Sequence, residues 1–114
     1  MLVQLTTAQG VVIIANMKSI ELLRQRIVYS ENQFAELVLW QVVEPVVKSK
    51  HLFKYRLAYV VKGLCVLRYD NEAWKGDHRH WNDREFEYKF TSPEKLLSDF
   101  QKDIERWNHE NGYS

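Results

Sequence analysis

Alternating polar and apolar positions predict that the first half of the chain consists mainly of β-strands. Residues Ile20–Tyr29 alternate with the period of two that is typical of a strand. Ser30-Glu31-Asn32-Gln33 then supplies turn-forming side chains. A second strand is predicted from Phe34 to about Val43, where Glu44-Pro45 ends it because proline cannot donate to a sheet ladder. Both faces of this second strand are largely apolar, which predicts a central strand covered on both sides.

The clearest strand signature is Phe53–Val61, which is rich in aromatic and β-branched residues. Lys62-Gly63 separates it from another apolar run at the length of a two-residue hairpin turn. This turn fixes a register that places Tyr55, Arg68 and Asp70 on one face of the sheet. The predicted pairs are Val61 with Leu64, Val60 with Cys65, Tyr59 with Val66, Ala58 with Leu67, Leu57 with Arg68, Arg56 with Tyr69 and Tyr55 with Asp70.

A last strand and a helix follow. Phe86, Tyr88 and Phe90 alternate with charged residues and predict a strand with one buried face. Ser92-Pro93 predicts a helix start, with serine at the N-cap, and Asn111-Gly112 predicts its end. We therefore predict an α+β fold, in which an antiparallel β-sheet meander of about five strands packs against a C-terminal α-helix. The apolar stripe predicted to cover the sheet is Leu96, Leu97, Phe100, Ile104 and Trp107.

The chain of 114 residues has the length of one ordinary domain. Residues 1–16 contain no charged side chain, and their apolar run is far shorter than the roughly 20 residues that span a bilayer. No basic segment precedes that run, as it would in a secretory signal, and Met17-Lys18 resembles an alternative translation start. We expect residues 1–16 to form a peripheral extension, either an outer strand or the product of a misassigned start, and residues 17–114 to form a single domain.

Composition narrows the functional classes. A hydrophobic content of 46% suffices for a core, and a net charge of +1 gives no general electrostatic argument for nucleic acid or membrane binding. Cys65 is the only cysteine, which excludes an intrachain disulfide or a CxxC pair. Its neighbours Val66 and Leu67 predict a small buried apolar residue, and the expected location is the cytoplasm.

The segment Arg68–Glu85 carries the densest set of titratable groups, including a His-x-His pair. In an extended backbone, His78 and His80 point to the same side. Two imidazoles can act as a general acid and a general base, or as half of a metal site whose third ligand is Asp70, Asp77 or Glu85. A solvated charged loop is the plain alternative. His51 and His109 lie outside the segment and are assigned no role.

These groups suit metal-independent cleavage of RNA, in which one histidine takes the 2′-hydroxyl proton and the other protonates the leaving oxygen. Basic side chains would hold the phosphate and aromatic ones would stack on a base. No cofactor is expected, although binding of a divalent metal by His78, His80 and Asp70 is an alternative. The candidate catalytic residues are His78, His80, Asp77 and Glu85, and the candidate substrate-binding residues are Lys75, Arg79, Arg84, Arg68, Tyr69 and Trp81, with Trp74 as a further aromatic group.

Several segments resemble the TumE-type family of prokaryotic toxins. The most specific is the run Lys75-Gly76-Asp77-His78-Arg79-His80 followed by Arg84-Glu85, and the resemblance covers roughly Ile20 to Arg106. It implies a toxin encoded beside a helix-turn-helix antitoxin that binds and silences it. The ribonuclease hypothesis rests on the side-chain chemistry alone. The other similar segments are residues 34–40, 53–61, 69–72 and 90–100.

Three hypotheses follow. The leading one is a cytoplasmic type II toxin that acts on RNA, with no membrane partner. The second is a non-enzymatic protein that inhibits a protein or nucleic-acid target by binding it. The third is an accessory subunit that is inert without the product of a neighbouring gene.

Overall fold

The computed structural model describes residues 19–72 and 74–113. In this part of the chain, six antiparallel strands form one sheet in chain order, and one helix packs on β3 and β4. The predicted α+β meander with a C-terminal helix is confirmed, whereas the predicted extension of residues 1–16 lies outside the described residues. The elements are β1 (Ile20–Ser30), β2 (Gln33–Gln41), β3 (Phe53–Val61), β4 (Leu64–Asp70), β5 (His78–Trp81), β6 (Arg84–Glu87) and α1 (Pro93–Glu110).

The core lies between α1 and one side of the sheet, which we call the helix face; the opposite side is the open face. The helix begins as predicted, because the Ser92 hydroxyl accepts a hydrogen bond from the Lys95 amide at 3.1 Å. Tyr59 donates its hydroxyl to Asn108 Oδ1 at 2.6 Å, so this buried polar group is satisfied within the core. The helical residues buried against the sheet include Leu96, Phe100, Ile104 and Trp107, and Leu97 is partly buried.

The number of strands exceeds the prediction because β5 lies within the segment that we interpreted as a loop between Asp70 and Arg84. Its four residues are charged or aromatic and include no β-branched side chain, so the usual strand signal is absent. The last strand is also shorter than predicted. β6 ends at Glu87 and is exposed throughout, and Tyr88 and Phe90 are half-buried beyond it, because α1 packs on β3 and β4 and leaves β6 uncovered.

The β3–β4 hairpin has the predicted turn, and both Lys62 and Gly63 have positive φ, as a tight turn of this length requires. The register is correct for its first two pairs and then shifts by one residue, since Tyr59 pairs with Leu67. This β-bulge leaves Val66 unpaired and allows both Val66 and Leu67 to be buried. The predicted pairs beyond the bulge are therefore wrong.

The shift changes which side chains share a face. Asp70 pairs with Arg56 and not with Tyr55, so Arg68, Asp70 and Arg56 lie on the open face, while Tyr55 lies on the helix face with Tyr69. The extra residue inverts the predicted alternation for the rest of β3 relative to β4.

Two burial predictions also fail. β2 is the second strand of the described sheet and only its helix face is buried, because no second layer covers the open face in residues 19–72 and 74–113. The open-face ring of Phe34 is instead covered by the Arg26 guanidinium, whose carbon lies 3.8 Å from the ring centroid. Cys65 is exposed, because it stands beside the hairpin turn, before the bulge directs Val66 inward.

Candidate functional site

Four polar side chains converge on the open face where β4 and β5 pair. Asp70 lies directly across from His78, and Arg68 lies across from His80. Because alternate residues of a strand share a face, the pairing places Arg68, Asp70, His78 and His80 together. We call these four residues the open-face cluster. The two imidazole centroids are 5.1 Å apart.

The contacts of His78 define where its protons lie. Its Nδ1 is 2.9 Å from the Gly76 carbonyl oxygen, which can only accept, so Nδ1 carries a proton. Its Nε2 is 2.9 Å from Asp70 Oδ1, and both residues are buried. The two atoms are poorly aligned for a hydrogen bond. A proton on Nε2, or a cation held by both atoms, would make this contact favourable.

The other histidine, His80, has a hydrogen-bond donor as its partner, where His78 has an acceptor. The Arg68 guanidinium donates to its Nε2 at 3.0 Å, so this nitrogen carries a lone pair. Partial burial and the Arg68 charge lower the pKa of His80 below its usual range. At neutral pH this ring is unprotonated at Nε2 and can accept a proton.

Asp70 is incompletely satisfied despite these neighbours. Its Oδ2 lies 2.9 Å from Arg68 Nε, yet Asp70 Oδ1 and Arg68 Nε have no hydrogen bond of good geometry, because their close contacts are poorly aligned. Ligand atoms of Asp70, His78 and His80 lie within 4.8 Å of one another. Two imidazole nitrogens and a carboxylate oxygen fit a divalent transition metal, and an orphaned buried carboxylate oxygen is consistent with one.

The family model described as toxin TumE matches residues 13–108. The chain belongs to the TumE family. It is therefore a toxin of a toxin–antitoxin system. No curated protein and no solved structure matches the chain.

Two further residues of the predicted site lie at the edge of the cluster in this TumE-family chain. Glu85 is on β6 across from His80, and its Oε1 is 3.7 Å from His78 Nε2. Lys75 Nζ lies 3.4 Å from Glu85 and is exposed. An exposed pair of this kind contributes little to stability.

The structure places four of the predicted substrate-binding residues of the TumE-family chain away from the cluster. Each follows the alternation of its strand onto the helix face. Arg79 donates Nε to Asp103 at 2.6 Å, and Tyr69 is 2% exposed, so its ring cannot stack on a base. The four residues are Tyr69, Arg79, Trp81, which is buried beneath the Arg106 guanidinium, and Arg84, whose guanidinium lies over Phe86.

Asp77 is also separate from the two histidines and belongs to a network that the sequence did not reveal. It accepts hydrogen bonds from Ser49 Oγ at 2.7 Å, His51 Nε2 at 2.6 Å and Tyr55 Oη at 2.7 Å. The Phe53 amide donates to His51 Nδ1, so both ring nitrogens are engaged. His51 was assigned no role in the sequence. Its partner is 26 residues away, and only its position directly before a strong strand hinted at one.

No helix of the described residues is both long and apolar enough to cross a membrane.

Proposed function

We propose that this TumE-family toxin is an endoribonuclease whose chemistry takes place at the open-face cluster. The observation that carries the proposal is a pair of adjacent imidazoles with opposite hydrogen-bond partners. His80 Nε2 has a lone pair, and His78, whose Nδ1 carries a proton, would act as the acid once its Nε2, 2.9 Å from Asp70, is also protonated. An acid and a base side by side are what cleavage by an internal nucleophile requires.

In the proposed reaction, His80 Nε2 takes the proton of a ribose 2′-hydroxyl, whose oxygen attacks the adjacent phosphorus. The bond from phosphorus to the 5′-oxygen breaks, and this oxygen receives the Nε2 proton of His78. The products are a 2′,3′-cyclic phosphate and a 5′-hydroxyl, and neither water nor an oxidant is consumed. The ring centroids are 5.1 Å apart, a separation that one phosphodiester can span.

Arg68 links substrate binding to this proton transfer. In the free protein its guanidinium occupies the His80 lone pair and also approaches Asp70. A phosphate is a better partner for the guanidinium than a neutral imidazole, so binding of RNA would release Nε2 for catalysis. Lys75, paired only with an exposed carboxylate, would add positive charge as negative charge grows on the phosphate.

A metal-assisted reaction is the competing mechanism at the same residues. Asp70, His78 and His80 would hold the ion, which supplies Lewis-acid activation of water. The two mechanisms differ in the substrate group that they need, because the acid–base route cannot proceed without a free 2′-hydroxyl.

We expect His80→Ala and His78→Ala each to reduce RNA cleavage by roughly 100-fold or more, because each removes one partner of the proton transfer. The measurement is the cleavage rate of a labelled RNA, together with growth arrest when each variant is expressed in a bacterium. His109→Ala is the matched control, since His109 lies at the exposed end of α1. Retention of full activity by both site variants would refute the catalytic assignment.

A second experiment compares unmodified RNA with RNA carrying 2′-O-methyl groups, each with and without EDTA. The acid–base mechanism predicts cleavage of unmodified RNA only, unaffected by EDTA, with cyclic phosphate ends. Loss of cleavage on chelation, restored by a divalent ion, would assign the site to the metal-assisted mechanism.

Inhibition by binding alone is the second candidate function, and the burial of His78, whose side chain is 4% exposed, favours it. Failure to cleave any RNA while arresting growth would establish it. For either function we propose a helix-turn-helix antitoxin, encoded by an adjacent gene, as the protein partner, and co-expression with that gene tests this by restoring growth.

A further inference from the structure

A cavity of about 700 Å³ lies next to Gly76 and Asp77, the segment that leads into β5. It is formed where the β2–β3 connection meets the β4–β5 connection and the chain after β6. Four lysines line it, and we call it the lysine cleft. They are Lys48, Lys50, Lys75 and Lys89.

Buried and partly buried hydrogen bonds hold the two connections against each other. Asp77 accepts from Ser49 and His51, and fully buried Asn71 donates to Ser49 Oγ and to the Phe53 carbonyl oxygen. These bonds join residues that are 18 to 28 positions apart in the chain. The cleft is therefore preorganised by the fold and does not depend on the lysines themselves.

Gly76 allows the closest approach of the two connections. Its φ is +83°, and a Cβ built there would lie 2.9 Å from the Lys48 carbonyl oxygen. Only glycine fits both conditions without displacing the backbone.

The charge of the cleft is poorly compensated. Within residues 19–72 and 74–113, Lys75 has a carboxylate within 4 Å, whereas Lys48, Lys50 and Lys89 have none. Glu87 is the other acid of the lining, apart from Asp77, whose oxygens are occupied by three donors. An open-face pocket beside Trp40 also contains basic side chains, but Arg24 and Lys54 are paired with Glu21 and Glu72, so in the described residues Arg56 is the one without a carboxylate within 4 Å.

The lysine cleft adjoins the proposed reaction centre. A neighbouring cavity of about 420 Å³ shares Lys75, Asp77 and Glu87 with it and is lined by His78 and Glu85. Because the two cavities share these lining residues, a strand with a phosphate at His78 would have its flanking nucleotides near the cleft. Uncompensated lysines in a fixed groove are the means by which proteins hold a nucleic-acid backbone without reading its sequence.

We infer that the lysine cleft binds the phosphates of single-stranded RNA that flank the cleaved linkage, an inference that rests on the proposed ribonuclease function. An acidic segment of a protein would meet the same charges, but it would not need the continuity between the cleft and His78. RNA phosphates account for both observations.

The test measures binding of a 2′-O-methyl RNA oligonucleotide by fluorescence anisotropy at several salt concentrations, so that the acid–base cleavage cannot intervene. The variant combines Lys48→Asn, Lys50→Gln and Lys89→Gln. The control combines Lys62→Asn, Lys102→Gln and Lys95→Gln, removing equal charge elsewhere. Lys48 and Lys62 both have positive φ, at 67° and 51°, which asparagine tolerates.

We expect the cleft variant to bind roughly tenfold or more weakly at low salt, and its slope of log Kd against log salt to fall by about 2, since each lost contact removes about 0.7. The control should remain close to the parent. Circular dichroism of both variants verifies folding.

Equal binding by the cleft variant and the control would overturn the inference, even if the protein cleaves RNA. So would a parent protein that does not bind the oligonucleotide. A cleft variant that keeps its affinity for RNA but no longer binds the purified antitoxin would identify the cleft as a protein-binding surface. That result would also overturn the inference. Binding that depends on these lysines, without cleavage of unmodified RNA, would support RNA binding by the cleft and refute the ribonuclease proposal.

Discussion

At the scale of single residues, the two histidines of the cluster differ because one has a partner that only accepts a hydrogen bond and the other has a partner that only donates one. A carbonyl oxygen can only accept, so Gly76 fixes a proton on His78 Nδ1, and a guanidinium can only donate, so Arg68 fixes a lone pair on His80 Nε2. The His-x-His spacing predicted that both rings face one side, which the structure shows. It could not predict the difference between the rings, because that difference comes from residues on another strand and in a loop.

Removing the Arg68 charge should change the pH dependence of cleavage. Burial and the adjacent guanidinium both lower the pKa of His80, and a base acts only while unprotonated, so activity is lost as the pH falls through this pKa. In Arg68→Gln the pKa of His80 rises, and the acid limb of the profile of kcat/KM against pH should move to higher pH. An unchanged limb, with only a lower plateau, would assign Arg68 to phosphate binding alone. Lys62→Gln is the control for loss of one positive charge.

At the scale of elements, local chemistry was predictable and long-range chemistry was not. The Lys62-Gly63 turn and the Ser92-Pro93 helix start depend on neighbouring residues, so the sequence sufficed. The bulge at Val66 was missed because two adjacent apolar residues fit either alternation. β5 was missed because its strand potential depends on pairing with β4 and β6.

The contact between the two connections should be sensitive to one methyl group. Gly76→Ala would place a Cβ 2.9 Å from the Lys48 carbonyl oxygen at a positive φ, and we expect it to lower the free energy of unfolding by about 2–3 kcal/mol. Gly112→Ala has a similar φ of +78° and nothing within 4 Å, so it should cost only about 1 kcal/mol. Urea denaturation measures both. Equal losses of unfolding free energy in the two variants would show that the two connections can move apart without a cost in stability.

At the scale of the whole molecule, Asp103 joins the helix layer to the strands that carry the site. It accepts from Tyr69 on β4 at 2.7 Å and from Arg79 on β5 at 2.6 Å. The Asp103 bond raises the pKa of Arg79, and this contact holds the guanidinium on the helix face, away from the open-face cluster. The role of Arg79 in phosphate binding stays a prediction.

Asp103→Ala should therefore destabilise the fold. It leaves the Arg79 charge without its partner, and because that side chain keeps 22% exposure we expect a loss of about 2–3 kcal/mol, less than for a fully buried pair. Glu105→Ala, on the exposed side of the same helix, should cost less than about 0.5 kcal/mol. Guanidinium denaturation distinguishes the two. Equal midpoints would show that solvent replaces the Asp103 contacts.

The order of the strands has a consequence for synthesis of the toxin. Each strand of the described sheet pairs with the one made just before it, so the sheet can grow strand by strand as the chain leaves the ribosome. The cluster needs β4 and β5, and the helix that covers the core comes last. The helix layer that supports these strands is therefore added near the end of translation, and we expect the proposed site to reach its final geometry only then.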